Sequence, residues 1–213
     1  MEELRLLVDD LFNLKFKSNT FADKGHENSI KGILVKHSLS EINKDEWKKS
    51  KNNVIFDLLK DRSNSTKFVE SLKDQKLFIE QPFGSQKAPD FIFCINGFII
   101  WLECKSSEGG KLVWNTGYPK SNILFLYSDK KKDTTTLFLG QFSEIIENNP
   151  LFESEYESFD KAIKELASTR FKTGFNSSNF SFYARRMLND NTKYSDPKVR
   201  IEFFEKTKNF LGI

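Results

Sequence analysis

Ala88-Pro89-Asp90-Phe91-Ile92-Phe93-Cys94-Ile95-Asn96-Gly97-Phe98-Ile99-Ile100-Trp101-Leu102-Glu103-Cys104-Lys105 is the stretch on which the reading of this chain turns. Its centre, Asn96-Gly97, separates two apolar runs. Asn-Gly in that position is the strongest short-range signal of a β-hairpin, because a type I′ turn needs positive φ at both central residues. Cross-strand partners then step outward one residue at a time, so Ile95 faces Phe98 and, at the far end, Asp90 faces Glu103. Lys105 lies two residues past Glu103 and projects from the same sheet face. Two acids and a lysine thereby converge at the open end of the hairpin.

The strand pair is apolar on both faces. Ile92, Cys94, Ile99 and Trp101 share the face of the acids, while Phe91, Phe93, Ile95, Phe98, Ile100 and Leu102 line the other. That pattern marks a central, covered pair rather than a solvated edge. Opposed Cβ atoms on antiparallel strands lie roughly 4.5–5.5 Å apart, and like charges there are destabilising. Two carboxylates at the end of a buried element must be protonated, paired or bound to a cation. Lys105 can neutralise one of them. Mg²⁺, which favours carboxylate oxygens at about 2.0–2.1 Å and keeps waters for exchange, would neutralise the pair. Mg²⁺ held by Asp90 and Glu103 is therefore the expected cofactor.

Outward from the hairpin, the chain divides by periodicity. Leu4, Leu7, Val8, Leu11 and Phe12 form the stripe of an amphipathic helix. A second helix is expected over Glu27 to Leu39, with Ile30, Leu34 and Glu27 on one stripe, and shorter ones over Asn53–Asp61 and Ser65–Asp74. Strand periodicity then begins: Lys76–Glu80, the hairpin, Ile123–Tyr127 and Thr134–Leu139. The glycines at 109, 110 and 117 and Pro119 make 106–121 loop-like, with at most one helical turn. Tyr156, Phe159, Ile163, Leu166 and Phe171 predict a helix, Gly174–Ser181 a loop, and Asp196-Pro197 the N-cap and first turn of a last helix. Helices, then strands with an antiparallel hairpin, then helices imply an α/β fold with a central mixed sheet. One domain over 1–213 is expected: a helical part to residue 75, the sheet over 76–140, and a helical part over 141–213.

The composition limits the function classes. At 213 residues the chain can bury a real core. No run approaches the roughly 20 apolar residues of a membrane span, and the start lacks a basic-plus-apolar leader, so an intracellular, cytoplasmic protein without a membrane partner is expected. The hairpin register puts the only cysteines, Cys94 and Cys104, on opposite faces, where they cannot bond. Twenty-two phenylalanines read as core filling. Net charge is only +3, but it is unevenly spread: residues 141–169 hold seven acids against Lys161 and Lys164, and 170–213 hold nine bases against Asp190, Asp196, Glu202 and Glu205. A local basic excess suits a phosphate-tracking surface, although mixed-sign helix faces give similar counts without a partner.

Gln81-Pro82-Phe83-Gly84-Ser85-Gln86-Lys87-Ala88-Pro89-Asp90, followed after the hairpin by Glu103-Cys104-Lys105, resembles the PD-(D/E)xK nuclease superfamily, and within it type II restriction endonucleases. The match covers about residues 77–140. The resemblance implies a restriction-endonuclease-like αβββαβ core, Mg²⁺ dependence and hydrolysis of double-stranded DNA to 5′-phosphate ends, in a bacterial restriction–modification system. It implies Asp90 and Glu103 as metal ligands, the Cys104 carbonyl as a further ligand and Lys105 beside the attacking water. A homodimer is expected, since two sites related by a two-fold axis match two antiparallel DNA strands. One departure stands out: 106–121 is a poor candidate for the helix these proteins often carry between their third and fourth strands. Two alternatives stay open, a structure-specific repair or junction-resolving nuclease and a non-catalytic DNA-binding domain of the same fold.

Other residues carry two readings. Glu27 is either a helical addition to the metal site or a first-turn carboxylate favoured by the helix dipole. Ser85, Gln86 and Lys87 precede Asp90 and are expected near the scissile phosphate. Asn115 is a candidate at the DNA surface, and Trp114 a core residue. The Phe175–Phe180 loop and Arg185-Arg186 are the candidates for reading base edges. His26 and His37 lack metal-like spacing, and Lys130–Lys132 reads as a solvated turn.

Overall fold

The computed structural model describes residues 1–15, 25–49, 52–85, 87–107, 112–114, 117–172 and 188–213. The chain begins with helices α1 (Glu2–Phe12) and α2 (Gly25–Lys36), a short strand β1 (Ser40–Glu41), and helices α3 (Lys44–Lys49) and α4 (Val54–Lys60). Strands β2 (Lys67–Phe68), β3 (Lys76–Glu80), β4 (Phe91–Ile95), β5 (Phe98–Ser107), β6 (Leu112–Trp114), β7 (Leu124–Asp129) and β8 (Thr134–Leu139) follow. The chain closes with α5 (Glu144–Glu147), α6 (Phe152–Lys172), β9 (Leu188–Asp190) and α7 (Pro197–Leu211).

The hairpin forms in the expected register, with Ile95 opposite Phe98 and Phe91 opposite Leu102. Asn96 (φ 48°) and Gly97 (φ 86°) supply the two positive φ angles of the turn. A side chain at Gly97 would also meet the Phe68 ring at 2.6 Å. Around this pair grows a mixed seven-stranded sheet in the order β1-β3-β4-β5-β7-β8, with β2 on the start of β5. β3, β4 and β5 form an antiparallel meander, and β7 returns parallel to β5.

Alternation in β4 and β5 sorts their side chains into two cores. Phe91, Phe93, Ile95, Ile100 and Leu102 pack under α1, α2 and α7 through Leu7, Leu11, Ile30, Leu34 and Leu211. Ile92, Cys94, Ile99 and Trp101 pack on the opposite face with Trp47 of α3, Leu59 of α4, Leu72, Trp114 and Tyr194. Helix ends follow their local chemistry. Asn53 caps α4 by accepting from the Phe56 N–H, Asp196 caps α7 by accepting from Lys198 and Val199, and Gly212 ends α7 in the left-handed region.

Three stretches depart from the local reading. Ser65–Asp74 is no helix: β2 and a short 3₁₀ turn (Glu70–Leu72) occupy it, because the Thr66 and Val69 N–H groups donate to the carbonyls of Ile99 and Gly97 on the free edge of β5. Loop-like 106–121 contains the end of β5 and strand β6, which pairs with β9 to make a second, two-stranded sheet. The part before residue 75 is not wholly helical, since β1 and β2 join the main sheet, and β9 interrupts the C-terminal part. The expected loop over 174–181 lies outside the described residues.

Candidate active site at the open end of the hairpin

The β4–β5 ladder stops at Phe91–Leu102, which leaves Asp90 and Glu103 just beyond the last pair. Asp90 Oδ2 accepts from the Cys104 N–H at 2.7 Å, tying the head of β4 to β5. Glu103 Oε1 accepts from Lys105 Nζ at 2.5 Å. Its other oxygen, Oε2, is buried and has no hydrogen-bond partner among the described residues, on a residue only 8 % exposed. Leaving such an atom unpaired is costly.

Burial pushes both carboxyls above the ordinary carboxylate range. For Glu103, burial is opposed by the Lys105 charge and reinforced by Asp90. For Asp90, burial is opposed by the Cys104 N–H and by Lys105, and reinforced by Glu80. The Cys104 thiol is also pushed up, first by burial and then by Asp90, Glu103 and Glu27. Glu80, at the end of β3, is an acid the sequence reading missed. Its strand partner Phe91, adjacent to Asp90, brings it to the site, a pairing that no local sequence signal announced.

The donor set suits a hard, oxygen-seeking divalent cation. The orphaned Glu103 Oε2 would be filled by such an ion, and Asp90 keeps a second carboxylate oxygen. In an extended strand the N–H and C=O of one residue point to the same side. Since the Cys104 N–H reaches Asp90, its carbonyl also points off the head of β4, away from β7. Glu27 lies in the first turn of α2, whose Ile30 and Leu34 pack on the Cys104 side of β5. Among the described residues no group of three or more His, Cys, Asp or Glu is arranged to hold a metal. The acids here form a pair, and the charge of Glu27 acts on the Cys104 thiol, on the other face of the strand.

Ser85 and Lys87 are exposed on the β3–β4 loop before Asp90. Gln86, Asn115, Arg185 and Arg186 lie outside the described residues. Trp114 is core: it is buried, packs edge-on against Phe125 at 5.0 Å, and donates to the buried Asp190. His37 lies 2.7 Å from Asp10, far from the acids in sequence and on a helix end. His26 belongs to the first turn of α2. No helix among the described residues is long and apolar enough to cross a membrane. Comparisons of the chain with family models, with curated proteins and with solved structures return no match.

Proposed function

We propose that this protein is a Mg²⁺-dependent, site-specific endonuclease of double-stranded DNA, of the PD-(D/E)xK kind and most like a type II restriction enzyme. One observation carries the reading: Asp90, Glu103 and Lys105 meet at the end of a buried hairpin, and one Glu103 oxygen is buried with no hydrogen-bond partner among the described residues. A bound cation would satisfy that atom, whose isolation is costly. The strand order supports the same reading, because a three-stranded meander with a further strand beside β5 follows the βββ-then-β order of the αβββαβ core that the resemblance implies. The crossover from β5 to β7 carries β6 rather than a helix among its described residues, which departs from the common form.

Asp90 and Glu103, with the Cys104 carbonyl beside them, are the groups that would hold a Mg²⁺, and such an ion would supply Lewis-acid activation of the phosphoryl oxygen and a more acidic water. Asp90 is fixed by the Cys104 N–H, so its free oxygen is aimed by the backbone itself. Lys105, 26 % exposed and paired with Glu103, would orient the attacking water and stabilise the additional negative charge of the pentavalent transition state. Pairing through two-fold symmetry would present one such site to each strand of the duplex.

Digestion of DNA of known sequence by the purified protein, with mapping of the ends, tests the proposal. Discrete fragments with 5′-phosphates in Mg²⁺, and none in EDTA, are expected. Random nicks or cleavage confined to branched DNA would turn the reading toward a structure-specific nuclease. An absence of Mg²⁺-dependent cleavage would remove the nuclease assignment.

A further inference from the structure

Beyond the head of β4, strand β5 continues from Glu103 to Ser107 with β7 alone as its neighbour, a projection of roughly 15 Å. β5, β7 and β8 thus form a wall beside the acid pair. The turn at its tip is Lys130-Lys131-Lys132-Asp133, between Asp129 and its partner Thr134. Lys130 stands three residues past Tyr127, the register partner of Lys105, about 10 Å along the strand.

The turn is rigidly built. Buried Asp129 accepts from the N–H groups of Lys131 and Lys132 at 3.0 and 3.1 Å, and the Lys130 N–H donates to the Ser107 carbonyl at 3.0 Å. With the backbone satisfied inward, all three lysine side chains are exposed, and none has a carboxylate partner among the described residues. By contrast, Lys31, Lys36, Lys44, Lys73, Lys76 and Lys105 each hold a carboxylate. The turn is solvated, as the sequence suggested, and its three charges stand on a pinned backbone roughly 15 Å along the sheet from the acids.

We infer that the Lys130–Lys132 turn is a phosphate-binding rim that holds the backbone of the duplex on one side of the scissile bond. The inference rests on the nuclease reading above and names a DNA contact within it. Each strand of a duplex brings one phosphate per roughly 3.4 Å of axis, so 10 Å spans about three of them. The contact is to backbone charge, so it adds affinity without sequence preference.

The test compares the wild type with two triple variants, Lys130→Gln/Lys131→Gln/Lys132→Gln at the rim and Lys67→Gln/Lys73→Gln/Lys76→Gln at the opposite end of the sheet. Binding of a labelled mixed-sequence duplex is measured in EDTA over a series of salt concentrations, and cleavage in Mg²⁺ at saturating protein. The rim variant should bind roughly tenfold or more weakly and lose about 2–3 units of the slope of log affinity against log salt. Its cleavage rate at saturation and its melting temperature should match the wild type, and the charge-matched control should keep both slope and affinity. Equal slopes for the wild type and the rim variant, with wild-type cleavage intact, would overturn the rim alone. A wild type that neither binds nor cuts duplex DNA would overturn both the rim and the nuclease.

Discussion

The two ends of one hairpin are built to opposite rules. At the turn, Glu3 of α1 receives both the Lys76 ammonium and the Asn96 amide, and these contacts hold its carboxyl below the ordinary range. Gly97 fits beneath the Phe68 ring, and Val69 closes on its carbonyl. At the open end Asp90 and Glu103 are pushed upward by burial, Glu103 further by Asp90 and Asp90 further by Glu80, and one Glu103 oxygen has no partner among the described residues. The middle of the strand pair, buried in both cores, holds both ends in place. The contrast teaches where to look for chemistry: one end is closed by opposite charges and a packed ring, and the other keeps raised carboxyls and a buried oxygen that the described residues leave unpaired.

The largest effects should come from breaking the open end. Asp90→Ala or Glu103→Ala should lower Mg²⁺-dependent cleavage by at least roughly a thousandfold, read as single-turnover rate, while duplex binding in EDTA persists. Robust cutting by either variant would end the metal-site assignment. Breaking the turn end should instead cost stability. Gly97→Ala places a Cβ at positive φ and against the Phe68 ring, and should destabilise by about 2 kcal/mol or more in urea titration.

A third change sharpens the contrast by relieving the open end. A carboxyl raised above its unfolded value contributes stability below the unfolded pKa and loses it as pH rises through the folded one. Asp90→Asn, whose amide oxygen can still accept from Cys104, removes that loss. Its melting temperature without divalent cation should exceed the wild type's at neutral pH by about 2–4 °C, with the gap closing in acid, where both carboxyls are protonated. Added Mg²⁺ should raise the wild-type melting temperature and leave that of Asp90→Asn nearly unmoved. An unchanged wild type would speak against a cation at the pair. The smallest effect belongs to Glu3→Gln. Its hydrogen bonds are solvent-exposed, and the melting temperature should move by no more than about 2 °C.

The hairpin was legible because its register is fixed by two residues and its faces by alternation. Both are local, and both place Asp90 opposite Glu103 from the sequence. The α1 stripe and the Asp196-Pro197 helix start were legible for the same reason. Ser65–Asp74 was misread because Phe68, Val69 and Leu72 mimic a helical stripe, whereas the segment's hydrogen bonds go to β5. Glu80 was invisible as a neighbour of the site until β3 was laid against β4. The orphaned Glu103 oxygen could not be read from sequence at all, since it depends on where Lys105 reaches. The Lys130–Lys132 turn looked ordinary because nothing in its own residues says that a parallel return of β7 delivers it to the far end of β5, past the acids.

The small second sheet carries a different consequence. Leu112–Trp114 must wait for Leu188–Asp190, so β7, β8 and α6 are all made before its partner strand exists. The hairpin closes across two residues, but this ribbon encloses a long chain segment with its attendant entropy. Its seal is a buried carboxylate, Asp190, which receives the Trp114 indole N–H and the Tyr194 hydroxyl at once. The ribbon should therefore be the last piece of the molecule to assemble. In amide exchange it should also be the earliest to open, well before the strands that carry the acids.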